Sequence, residues 1–298
     1  MIIGLQRTRP VDMRLSSTYI QNSLKIDSPQ MASIQQCAAE NEIVVVLGFS
    51  ENLHNSLYIS QAIIGSDGKI LTTRKKIKPT HMERTIFGDS FGDCLQSVVD
   101  TSVGRVGALS CWEHIQPLLK YHTYAQREQF HVAAWPPLFP HSEDGSLFSM
   151  SSEGMDSNWT RYTDGMLTSL LSGTISIART YAIESQSFVL HTTTVIGQSG
   201  VDRMATHGGA LMSTPGGGCS AIFGPDGRQL SQPIPSTEEG IIYADLDLDQ
   251  IYHSKAFVDV CGHYSRPDLL WLGVEGSVKR HVRENAATVA GEAEQQDL

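Results

Sequence analysis

The chain is short of basic residues and has no long apolar run. Its 22 Lys and Arg are outnumbered by 32 Asp and Glu, giving a net charge of −10 over 298 residues. That balance argues against a general binder of nucleic acid or of an anionic membrane surface. No stretch approaches the roughly 20 apolar residues a helical membrane span needs. The opening MIIGLQRTRPVDMR has an apolar segment too short for a secretory leader. The five cysteines, at 37, 94, 111, 219 and 261, are odd in number, widely spaced and without a C-x-x-C pair. A disulfide framework or structural zinc site is therefore not expected, and a reducing, cytoplasmic location is. The H-E-x-x-H pattern is absent. Gly216-Gly217-Gly218 lacks the Lys-Ser/Thr that completes a phosphate loop, so it reads as a plain loop before a hairpin.

What is present is a globular composition, 40% hydrophobic and 18% charged. Ser28-Pro29 reads as the N-cap and first position of a helix, with Met31, Ile34 and Ala38 at helical spacing. The run from Ile43 to Phe49 is rich in β-branched residues and predicts a strand buried on both faces. Leu57 to Ile64 and Ile70 to Lys75 flank Gly65-Ser66-Asp67-Gly68 and predict a hairpin. A similar Asp-Gly turn recurs within Ala221 to Arg228. Further strands are expected at Val103–Ser110, Phe130–Trp135, Phe188–Ile196 and Ile241–Leu248, with helices over Pro117–Glu128 and Leu170–Glu184. This alternation points to an α+β (α/β layered) domain over residues 1–274. Residues 142–160 read as a surface loop and 275–298 as a polar, disordered tail.

The chemistry centres on Cys111, at the end of a strand and the entrance to a helix. That position favours a thiolate and supplies backbone N–H groups for developing negative charge. From position alone the commoner reading is a small buried cysteine with no chemistry. A papain-like thiol hydrolase fits poorly, because Trp112-Glu113-His114 follows Cys111 where that family has a Cys-Gly-Ser-Cys context. The basic run over 74–78 would ordinarily be a solvated face, and Glu83 an ordinary surface partner for Arg84. Nothing in their spacing sets His81 or His114 beside Cys111.

Four strings, in order along the chain, carry a resemblance. Gly107-Ala108-Leu109-Ser110-Cys111-Trp112-Glu113-His114 resembles the nucleophile motif of the nitrilase (carbon-nitrogen hydrolase) superfamily. The segment Arg74 to Arg84 resembles its lysine motif. His131-Val132-Ala133-Ala134-Trp135-Pro136 resembles the strand after the nucleophile helix. Gly262-His263-Tyr264-Ser265-Arg266-Pro267-Asp268 resembles a C-terminal segment of nitrilases proper. The match is closest to the branch that includes aromatic and arylacetonitrile enzymes, with cyanide hydratases near relatives.

The resemblance implies a four-layer α-β-β-α sandwich, homodimers or higher homo-oligomers, and no metal or organic cofactor. It implies Cys111 as nucleophile, Lys76 as catalytic lysine and Glu83 as a supporting carboxylate, with Trp112 and Trp135 walling a small-molecule nitrile. The family also uses a glutamate within an early Phe-Pro-Glu motif. That motif is absent here, and Asp12, Asp27, Glu40, Glu42 and Glu51 do not fill its place. The family's first strand-helix-strand unit has no counterpart either, so an abrupt start inside a longer protein and little or no nitrile hydrolysis are the expectations. The alternatives are a cyanide hydratase, an amidase-type relative, or a catalytically dead member with an assembly role.

Overall fold

The computed structural model describes residues 12–139, 173–208 and 212–278. Its first half follows from local signals. Ser28 Oγ accepts from the Met31 N–H at 3.3 Å and Pro29 occupies the first turn, opening helix α2, Pro29–Glu40. Met31 and Ala38 on α2 are fully buried against Ala62 and Ile64. Those two belong to strand β2, Ser56–Ile64, which sits between β1, Val45–Leu53, and β3, Ile70–Lys75, in an antiparallel sheet. The β2–β3 turn is the expected one: Gly68, at φ +77°, donates to the Gly65 carbonyl. The same pattern recurs at Gly224–Arg228, where Gly227 donates to the Gly224 carbonyl.

Two readings need correction here. β1 starts at Val45 and is an edge strand, half-buried along most of its length with Gly48 exposed, not a strand covered on both faces. A helix, α1, spans Met13–Asn22, where the sequence gave no pattern. Asp12 caps it by accepting from the Leu15 N–H at 2.9 Å. None of its residues is fully buried, and its half-buried stripe of Ser16, Tyr19 and Ile20 holds only two large apolar side chains, too few to mark a helix in the sequence.

The second sheet has the order β4–β5–β6–β7–β8, with β4 Val98–Thr101, β5 Gly104–Ser110, β6 Phe130–Trp135, β7 Phe188–Thr193 and β8 Ala221–Phe223. β5, β6 and β7 are parallel, and the two outer strands are antiparallel to them. Helix α3, Pro117–Ala125, crosses from β5 to β6, and α4, Gly173–Ser185, leads into β7. Their residues Tyr124, Ala178 and Tyr181 share a core with Leu109, Ala133, Val189 and Phe223. The sheets meet through β2 and β5, where Gln61 Nε2 donates to the Leu109 carbonyl at 3.1 Å. Helix, sheet, sheet and helix give the expected layering.

α3 stops three residues before the expected end at Glu128, and Arg127 takes a left-handed φ of +64°. β7 ends at Thr193 rather than Ile196, and of the helix expected from Leu170 the described part begins at Gly173. Helices α5, Gln198–Met204, and α6, Asp249–Phe257, complete the described elements. Ile241–Leu248 is not a strand: no described strand pairs with its backbone, and Ile241 and Tyr243 are 87% and 85% exposed. The loop expected over 142–160 lies outside the described residues, as does the tail beyond 278. Among the described residues no helix is long and apolar enough to cross a membrane.

Gly107 lies opposite His131 in the β5–β6 register. A Cβ there would fall 2.0 Å from Glu128 Oε2. Gly107→Ala is therefore expected to destabilise the fold by about 1–3 kcal/mol, the usual range for overpacking, read as a lowered thermal midpoint.

Candidate active site

β5 delivers Cys111 to the first position of a short 3-10 turn, Cys111–Ile115, with φ +55°. A left-handed backbone at a residue with a Cβ costs of order 1–3 kcal/mol, so its surroundings must hold it. Glu113, two residues on, does much of this. Its carboxylate accepts four hydrogen bonds, each 2.8 Å: two from the Arg74 guanidinium and one each from the Ser110 and Ile77 N–H groups. Ser110 precedes Cys111 and Ile77 follows Lys76. One buried carboxylate thus registers the strand end bearing the lysine against the turn bearing the thiol. Burial opposes the charge on Glu113, but Arg74 and these donors outweigh it and hold the carboxyl below its usual range. The motif strings contained both residues, yet sequence reasoning gave neither a role.

Lys76 is 1% exposed, and its Nζ lies 2.6 Å from Glu83 Oε2. Glu83 also accepts from the Thr80 N–H at 2.6 Å. The basic run is therefore not uniformly a solvated face. Arg74 and Lys76, two residues apart, are both buried with part-exposed Lys75 between them, as the two-residue period of an extended chain dictates, whereas Lys78, beyond the end of β3, is mostly exposed.

Cys111 and Glu83 line one cavity of about 340 Å³, within the size range of small-molecule sites. Tyr19, Phe49, Phe87 and Trp135 line it as well. Tyr19 and Phe87 meet edge to face at 6.3 Å. Of the five residues named from sequence, Cys111, Glu83 and Trp135 are thus brought together at the cavity, with Lys76 held through Glu83. Trp112 is not among the cavity's lining residues. Its ring meets Trp135 edge-on at 5.5 Å and faces a larger cavity of about 730 Å³ beside Leu119 and His122, away from the sulfur. Sequence reasoning missed Tyr19, Phe49 and Phe87, because they come from α1, β1 and a loop with no local motif. It also missed His114, whose Nδ1 donates to the Cys111 carbonyl at 2.7 Å.

Burial pushes the Cys111 thiol up to about 12. The Lys76 ammonium and the Trp112 N–H pull it down, and the Glu83 and Glu113 carboxylates push it further up. The resting sulfur is therefore protonated at neutral pH. Because the thiolate is the reactive form, alkylation of Cys111 by iodoacetamide is expected to rise about tenfold per pH unit from 7 to 10 without a plateau, followed by peptide mass spectrometry.

A carbon-nitrogen hydrolase profile matches residues 10–256. The chain is 91% identical over 290 residues to an arylacetonitrilase of Aspergillus kawachii, covering 97% of this chain and 83% of that protein. It is 86% identical over 289 residues to an arylacetonitrilase of Aspergillus niger, covering 97% and 82% respectively. Among solved structures, the Caenorhabditis elegans NitFhit protein superimposes with a TM-score of 0.62 at 17% identity, over 91% of this chain and 57% of that one. Saccharomyces cerevisiae Nit3, of the nitrilase superfamily, gives 0.57 at 15% identity, over 84% and 78%. The chain belongs to the carbon-nitrogen hydrolase family.

Proposed function

We propose that this protein is a nitrilase that attacks an arylacetonitrile through Cys111 and releases a carboxylic acid and ammonia. The observation that carries the reading is one cavity in which a thiol, a carboxylate paired to a buried ammonium, and four aromatic rings converge. The arylacetonitrilase relatives support the substrate class.

A nitrile carbon is a weak electrophile, which calls for sulfur rather than a hydroxyl. The Cys111 sulfur bonds to that carbon and the thiol proton is delivered to the nitrile nitrogen, giving a thioimidate. Charge growing on nitrogen is met by the Lys76 ammonium and the Trp112 N–H, both of which already act on the sulfur. Water adds to the carbon, the C–N bond breaks and ammonia leaves, giving a thioester. A second water breaks the C–S bond, releasing the acid and restoring the thiol. Glu83 is the one carboxylate among the described cavity-lining residues, and its Oε2 is already engaged by the Lys76 ammonium and the Thr80 N–H, so no second carboxylate there activates the water. The two water steps are therefore the slow ones. Aromatic side chains suit an aryl group by edge and face contacts. Exposed Ile115, Leu118 and Tyr121 on the outer side of the nucleophile turn and α3 fit a homo-oligomer, and free cysteines fit a reducing compartment.

The test is incubation of the purified chain with phenylacetonitrile, followed by intact mass and an ammonia assay. A covalent adduct on Cys111 that outlasts a first, slow release of ammonia is expected. Neither adduct nor ammonia overturns the nitrilase reading. Amide formed without ammonia replaces it with a hydratase. Ammonia at an ordinary nitrilase rate overturns the claim that the water steps limit turnover.

A further inference from the structure

Behind the nucleophile turn runs a file of polar groups that the reaction above does not use. His114, His131, Glu128 and Tyr181 are each at most 3% exposed. Their contacts dictate where hydrogens sit. The Cys111 carbonyl can only accept, so His114 Nδ1, 2.7 Å away, carries a hydrogen. His114 Nε2 lies 3.0 Å from His131 Nε2, and one of the two must donate. Burial and its histidine neighbour His131 hold His114 well below the usual imidazole range, so His114 is neutral and the hydrogen belongs to His131. His131 Nδ1 then faces Glu128 Oε2 at 2.8 Å. Two lone pairs do not sit at that distance, so a second hydrogen lies between them. The other Glu128 oxygen accepts from the Tyr181 hydroxyl at 2.5 Å and offers no alternative.

A neutral imidazole beside a carboxylate would hold one hydrogen; this geometry requires two across His131 and Glu128. The rings are fixed in their planes as well. Tyr181 stacks on His131 at 3.8 Å and Trp135 on His114 at 5.5 Å. The missing side chain at Gly107 leaves room for Glu128 beneath β5.

We propose that Glu128 and His131 share one internal proton that fixes His114 as an Nδ1–H donor to the Cys111 carbonyl, and so holds the left-handed backbone of Cys111 in attack geometry. These are positioning residues: none touches the nitrile. The role of the file rests on Cys111 being the nucleophile; its proton count does not.

The experiment uses the full chain labelled with 15N-histidine, its His114 and His131 signals assigned by single substitutions. Expected are a neutral His114 protonated at Nδ1, a His131 protonated at Nε2, and a far-downfield proton shared between His131 Nδ1 and the carboxylate. A His114 with bare Nδ1, or a doubly protonated His114, overturns the proposal. Glu128→Gln can donate an amide hydrogen to His131 Nδ1 and still accept from Tyr181, so it restores the file without the extra proton. The downfield resonance should vanish in E128Q, while His114 stays an Nδ1–H donor. The rate of Cys111 adduct formation with phenylacetonitrile should be at least tenfold higher in E128Q than in Glu128→Leu, with a smaller change in KM than in kcat. Equal losses in the two variants, both folded by circular dichroism, overturn the positioning role. The resonance readout is independent of nitrile chemistry. Its failure sinks the proton file alone, whereas an adduct-free native chain sinks the nitrilase reading and with it the positioning role, leaving the proton count standing.

Discussion

Cys111→Ala is expected to lose the covalent nitrile adduct and any ammonia release, with rates down on the order of 10⁴-fold or more, as when a nucleophile is deleted from a unit that works together. No neighbour can substitute. Among the described residues lining the cavity, Cys111 is the only thiol, and Ser50, Ser60, Ser110, Thr192 and Thr194 offer only hydroxyls, which are poor nucleophiles without an adjacent base. The variant keeps the left-handed backbone, because alanine also carries a Cβ. Its melting temperature should therefore stay close to that of the native chain, and loss of activity will not reflect loss of fold. Intact mass after incubation with phenylacetonitrile, beside a thermal melt, separates the two. A Cys111→Ala chain that still gains the mass of the nitrile would place the nucleophile elsewhere.

Glu113→Gln is expected to be the most damaging change to stability. It leaves the Arg74 guanidinium, 2% exposed, without its counter-charge. Breaking one side of a buried pair costs about 3–5 kcal/mol, a large part of the stability of an ordinary domain. Of the Ser110 and Ile77 N–H donors, one would face an amide NH2 in place of a carboxylate oxygen and the other a weaker, uncharged acceptor. Denaturant unfolding should show the loss, and the double variant Arg74→Met/Glu113→Gln should be less damaged than the sum of its parts, because the two residues are directly coupled. The same pair sets an acid limit. The Glu113 carboxyl is held below its ordinary 4.5 in the folded chain, so its contribution is complete above that value. It is lost as pH falls toward the lower folded value. Native protein should thus lose stability on acidification below about 4.5 more steeply than Glu113→Gln.

The legible parts of this protein were those whose signal is local. Ser28-Pro29 announced α2, Gly65 to Gly68 announced the β2–β3 turn, and the strand run up to Ser110 placed Cys111 at a strand end. Lys76 and Glu83 were found through the motif string that contains them, and they pair at 2.6 Å. Less legible was anything that depends on what packs alongside. The apolar run ending at Phe49 looked like an interior strand, but β1 lies at a sheet edge. Ile241 to Leu248 alternates like a strand, yet no described strand pairs with its backbone. Trp112 and Trp135 looked alike as substrate walls, but the turn after Cys111 sets Trp112 on one cavity while the end of β6 sets Trp135 on another.

The sequence by itself determined the order of the motifs and most of the alternating elements that build two helix-covered sheets, and it offered Cys111, Lys76 and Glu83 as site candidates. The elements follow from residue type and short spacing, and the three candidates from the family resemblance. Only the tertiary structure decided that Arg74 would reach Glu113 across 39 residues of chain, and that the His114 ring would meet the His131 ring behind the Cys111 turn. It also decided that Tyr19, Phe49 and Phe87 would wall the cavity with Trp135. The reason is physical: a charge or ring acquires its role from the groups that replace its water, and those groups are chosen when β3 and β5 are brought together.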